Sequence, residues 1–157
     1  MDHGVTQGPE RSHRLPRAAA PAVPPAPVVP PVGAAYDGGP GTIGAARDFA
    51  TGFLRRAQAD HGVPVTDLLV EDVRLVVSEL VTNAAKYAPG PCLLDLEFLD
   101  DALRVTLWDT DTSLPVPALA DPGRIGRHGL EIVVAVCRRF EVERQAGGKR
   151  VRVDLAF

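Results

Sequence analysis

Proline decides where this chain can form regular structure. Fifteen of its 157 residues are proline, and they are crowded rather than spread. Residues 9–31 read PERSHRLPRAAAPAVPPAPVVPP. Proline offers no backbone donor and pushes the residue before it toward extended geometry, so this tract predicts a disordered leader with local polyproline II character. Arg11, Arg14 and Arg17 precede an apolar stretch, as in an export signal. Pro21, Pro24, Pro25 and Pro27 would break the helical segment that such a signal needs. The reading therefore separates a Pro/Ala-rich tail, residues 1–35, from one folded domain, residues 36–157, whose length suits a single core.

The remaining prolines punctuate that domain. Before Pro64, Ile43, Ala46, Phe49, Ala50, Phe53, Leu54 and Ala57 recur at helical spacing, with Thr42 as the expected N-cap. A second helix, capped by Thr66 or Asp67, runs to Lys86 with an apolar stripe of Leu69, Val73, Val76, Val77, Leu80 and Ala84; Pro89-Gly90-Pro91 ends it. Residues 92–99 and 103–108 alternate as two strands joined at Asp100-Asp101. A proline-bearing loop follows, then an apolar helix at 129–138, expected to be buried on a sheet. Strands at 140–145 and 151–157 flank Gly147-Gly148. Helices segregated from hairpins predict an α+β two-layer sandwich.

Charge and composition exclude several classes. A net charge of -3 lacks the basic excess of a general nucleic-acid or anionic-membrane binder. Cys92 and Cys137 are too few and too far apart for a disulfide framework or zinc ribbon. No apolar run is long enough to span a bilayer, and a cytoplasmic location is expected. Gly39-Pro40-Gly41-Thr42-Ile43-Gly44 matches GxGxxG, with Asp60 downstream. A proline-rich tail precedes it where the dinucleotide fingerprint needs a strand, and Asp60 ends a helix, so it reads as a linker feeding a helix. Gly148-Lys149 lacks the upstream glycine of a phosphate-binding loop.

The chemistry-bearing segment is SELVTNAAKYA, residues 78–88. At about 100° per residue, Glu79, Asn83 and Lys86 share one stripe beside the apolar face, with Asp72 a turn earlier. A carboxylate, an amide and an ammonium at the edge of a buried face are costly without partners. They suit a phosphate–metal site, the amide oxygen facing a hard cation and the ammonium facing phosphate; a solvated helix edge is the alternative reading. Further along, Trp108-Asp109 ends an apolar strand, and Gly126-Arg127-His128-Gly129-Leu130 opens the apolar helix. Glycines there would let backbone N–H groups approach an anion.

In that order, these segments resemble the GHKL (Bergerat-fold) ATPase superfamily. SELVTNAAKYA is similar to its N-box, WDTD to its first glycine box, GRHGLEIV to its second, and GGKRVRVDLAF to its closing hairpin. The likeness spans residues 36–157 and is nearest to the compact anti-sigma regulatory, serine-kinase type of actinobacteria. It implies bound ATP and Mg²⁺, with Asn83 as the metal ligand and Glu79 as general base. Lys86 would sit near phosphate, Asp109 would accept from the adenine amine, and Gly126, Arg127, His128, Gly129 and Leu130 would close over the phosphates. It also implies a sigma factor or small antagonist as partner, a capacity to form homodimers, and phosphotransfer to serine or threonine. A nucleotide-holding interaction module without catalysis is the alternative. A histidine-kinase fragment lacks a phosphoacceptor region, and gyrase-type relatives need a further domain.

Two departures stand out. Asp111 and Ser113 occupy the glycine positions of the family's DxGxG pattern, and a hairpin threonine near the adenine is expected to be replaced by Arg150 or Arg152.

Overall fold

The computed structural model describes residues 28–112 and 128–157. Among the described residues the order is β1 (Val32–Tyr36), α1 (Thr42–His61), α2 (Asp67–Tyr87), β2 (Cys92–Phe98), β3 (Ala102–Asp109), α3 (His128–Val136), β4 (Arg139–Gln145) and β5 (Gly148–Ala156). The strands form one antiparallel sheet in the order β1-β2-β3-β5-β4. This is the expected α+β architecture, with helices on one face of the sheet.

Strand alternation builds that interface. Leu94 and Leu96 of β2, Leu103, Val105 and Leu107 of β3, and Val151, Val153 and Leu155 of β5 all turn inward and are buried. They meet Ala46, Ala50, Phe53 and Leu54 of α1 and Val73, Val76, Val77, Leu80 and Ala84 of α2 in a single core cluster. α2 lies against β3 and β5, and α3 lies against α2. Most outward residues of the same strands are polar and several pair across the sheet, because one face of an antiparallel sheet can stay in water. Arg104 grips Asp154 on β5 through two bonds of 2.7 and 2.8 Å. Trp108 Nε1 donates to Asp95 at 2.9 Å, and the Arg150 guanidinium lies over the Trp108 ring.

The helix ends are set locally. Thr66 caps α2, its hydroxyl accepting from the Leu69 N–H at 3.1 Å. Gly62 ends α1 in the left-handed region at φ 66°, a conformation that favours glycine. α1 itself differs from expectation: Thr42 is its first residue, the cap is Gly41, and no side chain caps it.

Three further expectations are corrected. Residues 32–36 are a strand, β1, pairing with β2 from Val32↔Leu96 to Tyr36↔Cys92. A strand therefore does precede the GxGxxG match; the dinucleotide reading fails instead because that strand is antiparallel to its neighbour. α3 is shorter than read and packs on α2. Leu130 and Val133 are buried, while Ile132 and Val134 are each 43% exposed. β5 begins at Gly148, not Val151. The expected disorder of residues 9–31 falls mostly outside the described residues, which begin at Val28.

Candidate functional site

α2 carries the polar row as its periodicity requires. Glu79 and Asn83 are half-buried at the edge of the stripe that covers β3 and β5, Asp72 is half-buried a turn earlier, and Lys86 is exposed in the last turn. The carboxylate of Glu79 reaches the start of α3. A β-carbon on Gly129 would fall 1.9 Å from Glu79 Oε2, so only glycine leaves that carboxylate where it stands. Leu130, the next residue, is buried beneath it in the core. Gly126 and Arg127 lie outside the described residues, and so does the side chain of His128.

A second group gathers at the end of β3. The inward parity of Leu103, Val105 and Leu107 brings Asp109 to the helix-facing side, 8% exposed. Its strand partner on β5 is Lys149. Lys149 shares the inward parity of Val151 and Val153 and is 2% exposed. Its ammonium lies 3.0 Å from Asp109 Oδ2 and 2.9 Å from Asp111 Oδ2. The other oxygen of Asp109 accepts the Asp111 N–H at 2.9 Å. Gly148 permits this approach, since a β-carbon there would sit 1.8 Å from the Asp109 carbonyl oxygen.

The neighbouring strands add weak acids to this end of the sheet. Cys92 follows Asp109 one step beyond the Leu93↔Trp108 pair, and Tyr36 is its partner on β1. Burial first, and then the nearby charge of Asp109, push the Cys92 thiol above its ordinary range. Burial, with Cys92 second, raises the Tyr36 hydroxyl likewise. Both groups therefore stay neutral at physiological pH.

The structure thus brings Glu79 to Gly129, and separately Asp109 to Lys149, on the side of the sheet that α2 covers. Arg150 and Arg152 do not stand in for a hairpin threonine beside Asp109. They lie on the opposite face, Arg150 over Trp108 and Arg152 3.3 Å from Glu141. Lys149 takes that place. The reading of the residues passed it over as a failed phosphate loop, although a lysine on the apolar parity of a strand signals a buried charge awaiting a partner.

The sequence profile of the histidine kinase-like ATPase domain matches residues 39–155. The chain belongs to the histidine kinase-like ATPase family. Among solved structures it is similar to the RsbU and RsbW domains of Rv1364c from Mycobacterium tuberculosis. That likeness has a TM-score of 0.57 at 18% identity and covers 82% of this chain and 32% of that one. This chain therefore spans about a third of that relative. It is also similar, at a TM-score of 0.43 and 21% identity, to the histidine kinase domain of a blue-light activated histidine kinase from Erythrobacter litoralis, covering 70% of this chain and 64% of that one. No curated protein matches it.

A histidine kinase-like ATPase domain needs donors for phosphates, a divalent ion and a base. Among the described residues no group of three or more His, Cys, Asp or Glu could cage a metal. The single amide of Asn83, with the Glu79 carboxylate a turn away as a base, suits an ion that arrives with phosphates and keeps most of its water, as Mg²⁺ does. The phosphate end therefore fits. At the other end the carboxylate of Asp109 already holds two donors from within the chain. No helix among the described residues is long and apolar enough to cross a membrane.

Proposed function

We propose that this chain binds Mg²⁺-ATP and transfers its terminal phosphoryl group to a serine or threonine of a small regulatory protein, in the manner of the anti-sigma serine kinases that its sequence resembles. The observation that carries this reading is the pairing of Glu79 with a glycine at the start of α3. Glu79 is half-buried on α2, and its carboxylate occupies the space that a side chain at Gly129 would need.

Phosphoryl transfer asks a protein mainly for positioning and charge neutralisation. Asn83, one turn after Glu79, would hold the metal, and Mg²⁺ would supply charge neutralisation at the phosphates when bound. Lys86 lies a further turn along and would face phosphate oxygens. Glu79 would accept the proton of the attacking hydroxyl, orienting it in line. Asp109 would read the base, and Gly126 to Leu130 would cover the phosphates. A sigma factor or its antagonist is the expected partner, the phosphorylated serine switching which complex forms.

The test is transfer from γ-labelled ATP to candidate antagonist proteins. Wild type is expected to label serine or threonine; Glu79→Gln is expected to lose about 100-fold or more in rate while still binding nucleotide. Saturating Mg²⁺-ATP should stabilise both proteins by about 2–4 kcal/mol at 100–1,000 times Kd. Labelling that survives Glu79→Gln unchanged removes Glu79 from the chemistry.

One observation favours a second reading, a module that holds nucleotide poorly and acts by sequestering its partner. It is the occupation of Asp109 by Lys149. That reading expects no label from wild type and partner binding that is indifferent to ATP.

A further inference from the structure

The kinase reading gives Lys149 no task. Its side chain is 1% exposed, and its ammonium bridges Asp109 Oδ2 at 3.0 Å and Asp111 Oδ2 at 2.9 Å. A buried ammonium is expensive unless it is paired, and here two carboxylates pair it. Asp111 stands at a glycine position of the motif that this segment resembles, so its added negative charge meets the added positive charge of Lys149. The two departures compensate one another.

The consequence falls on Asp109. A carboxylate distinguishes adenine from guanine because it accepts from an exocyclic amine and repels a carbonyl oxygen in the same place. Asp109 does not present itself that way. One oxygen holds the Asp111 N–H, the other holds an ammonium, and the carboxylate side chain is 2% exposed.

We propose that Lys149 is a specificity-determining residue of the nucleotide site. It competes with the adenine amine for Asp109, lowering affinity for ATP and removing the preference for adenine over guanine. The inference rests on the nucleotide-binding reading given above. Asp111 makes the competition reversible: as a second full-charge partner it can keep the ammonium while Asp109 turns to a base.

Calorimetric titration of the full chain with Mg²⁺-ATP and Mg²⁺-GTP tests this. Wild type is expected to bind the two within about threefold of each other, having no net acceptor to tell them apart. Lys149→Met frees the acceptor and is expected to tighten ATP by about tenfold or more, the worth of one hydrogen bond to a charged group, and to weaken GTP, whose carbonyl oxygen the freed carboxylate repels. Among the described residues, Asp111→Asn leaves the ammonium only the charge of Asp109 and is expected to weaken ATP by about threefold to tenfold.

A gain of affinity confined to one base is not what a merely structural role produces. If Lys149→Met does not fold, Lys149→Thr replaces it, and the sign of Asp111→Asn decides independently. A wild type that already prefers ATP by about 100-fold overturns the proposal and leaves nucleotide binding standing. So does a Lys149 variant that weakens both nucleotides equally, or an Asp111→Asn that tightens ATP. Failure of wild type and every variant to bind either nucleotide overturns the nucleotide reading itself, and the proposal with it.

Discussion

A methyl group on Gly129 would meet the far end of the Glu79 side chain at 1.9 Å; one on Gly148 would meet the Asp109 backbone carbonyl at 1.8 Å and its carbon at 2.9 Å. A carboxylate can rotate away, and a strand backbone cannot. Gly129→Ala is therefore expected to change stability by less than about 1 kcal/mol, since alanine also favours the helix. It should nonetheless cost about 100-fold in phosphotransfer by displacing the base. Gly148→Ala is expected to lose about 3 kcal/mol or more, seen as an earlier denaturant midpoint. Equal stability losses in the two variants would contradict the geometry. Glu79 was legible in sequence because a helix repeats every three to four residues and its polar row stands out. Lys149 was not, because its two partners lie about 40 positions upstream and its strand looked basic on both faces: Lys149, Arg150 and Arg152 differ only in parity.

Between elements, the bond from Arg104 to Asp154 ties β3 to β5 directly across their register. The hydrogen bonds from Arg104 are the largest cause holding the Asp154 carboxyl below its ordinary 3.8; burial opposes them, and the charges of Arg104, Arg139 and Arg152 add to the lowering. A carboxylate whose folded value is depressed contributes stability above its unfolded value. That stability is lost as pH falls through the folded one. Arg104→Ala is expected to destabilise by about 1–3 kcal/mol near pH 7, leaving buried Asp154 with only the weaker influence of Arg139 and Arg152. The penalty should shrink steadily as pH falls below the ordinary carboxylate value of about 4, where the unfolded chain takes up the proton before folded Asp154 does. Urea titrations of both proteins at neutral and acid pH measure it, and a penalty that persists undiminished in acid would mean the pair is not its source. The same strands show why elements were mostly readable: alternation in β2 and β3 and the stripe in α2 each name a buried face. α3 misled because an apolar run carries no period. The run suggests burial on a sheet, whereas the helix packs on α2, with Leu130 and Val133 buried and Val136 partly buried against the core.

For the whole molecule the decisive question is where the fold starts. The tail expected from the prolines ends at residue 35, so it takes in VGAA of β1 and leaves only Tyr36 to the domain; glycine and alanine are poor strand formers, and Pro30-Pro31 immediately precedes them. Pairing overrode propensity: five register pairs bind β1 to β2, Val29 is 8% exposed within the core cluster, and Val32 and Tyr36 pack against that cluster. Without β1, the strand with buried Leu94 and Leu96 becomes an open edge, and Cys92 loses the ring beside it. A chain starting at Val28 retains every described member of that core cluster and is expected to melt within about 2 °C of the full chain, a shift equivalent to about 0.5–1 kcal/mol. One starting at Asp37 forfeits Val29, Val32 and Tyr36 and is expected to lose about 3–5 kcal/mol, a large share of the stability of a domain this size. It should also associate through the exposed edge of β2. Thermal melts and sizing of the two truncations decide the point. If the shorter chain is as stable and as monodisperse as the longer one, β1 is an accessory to a sheet that begins at β2.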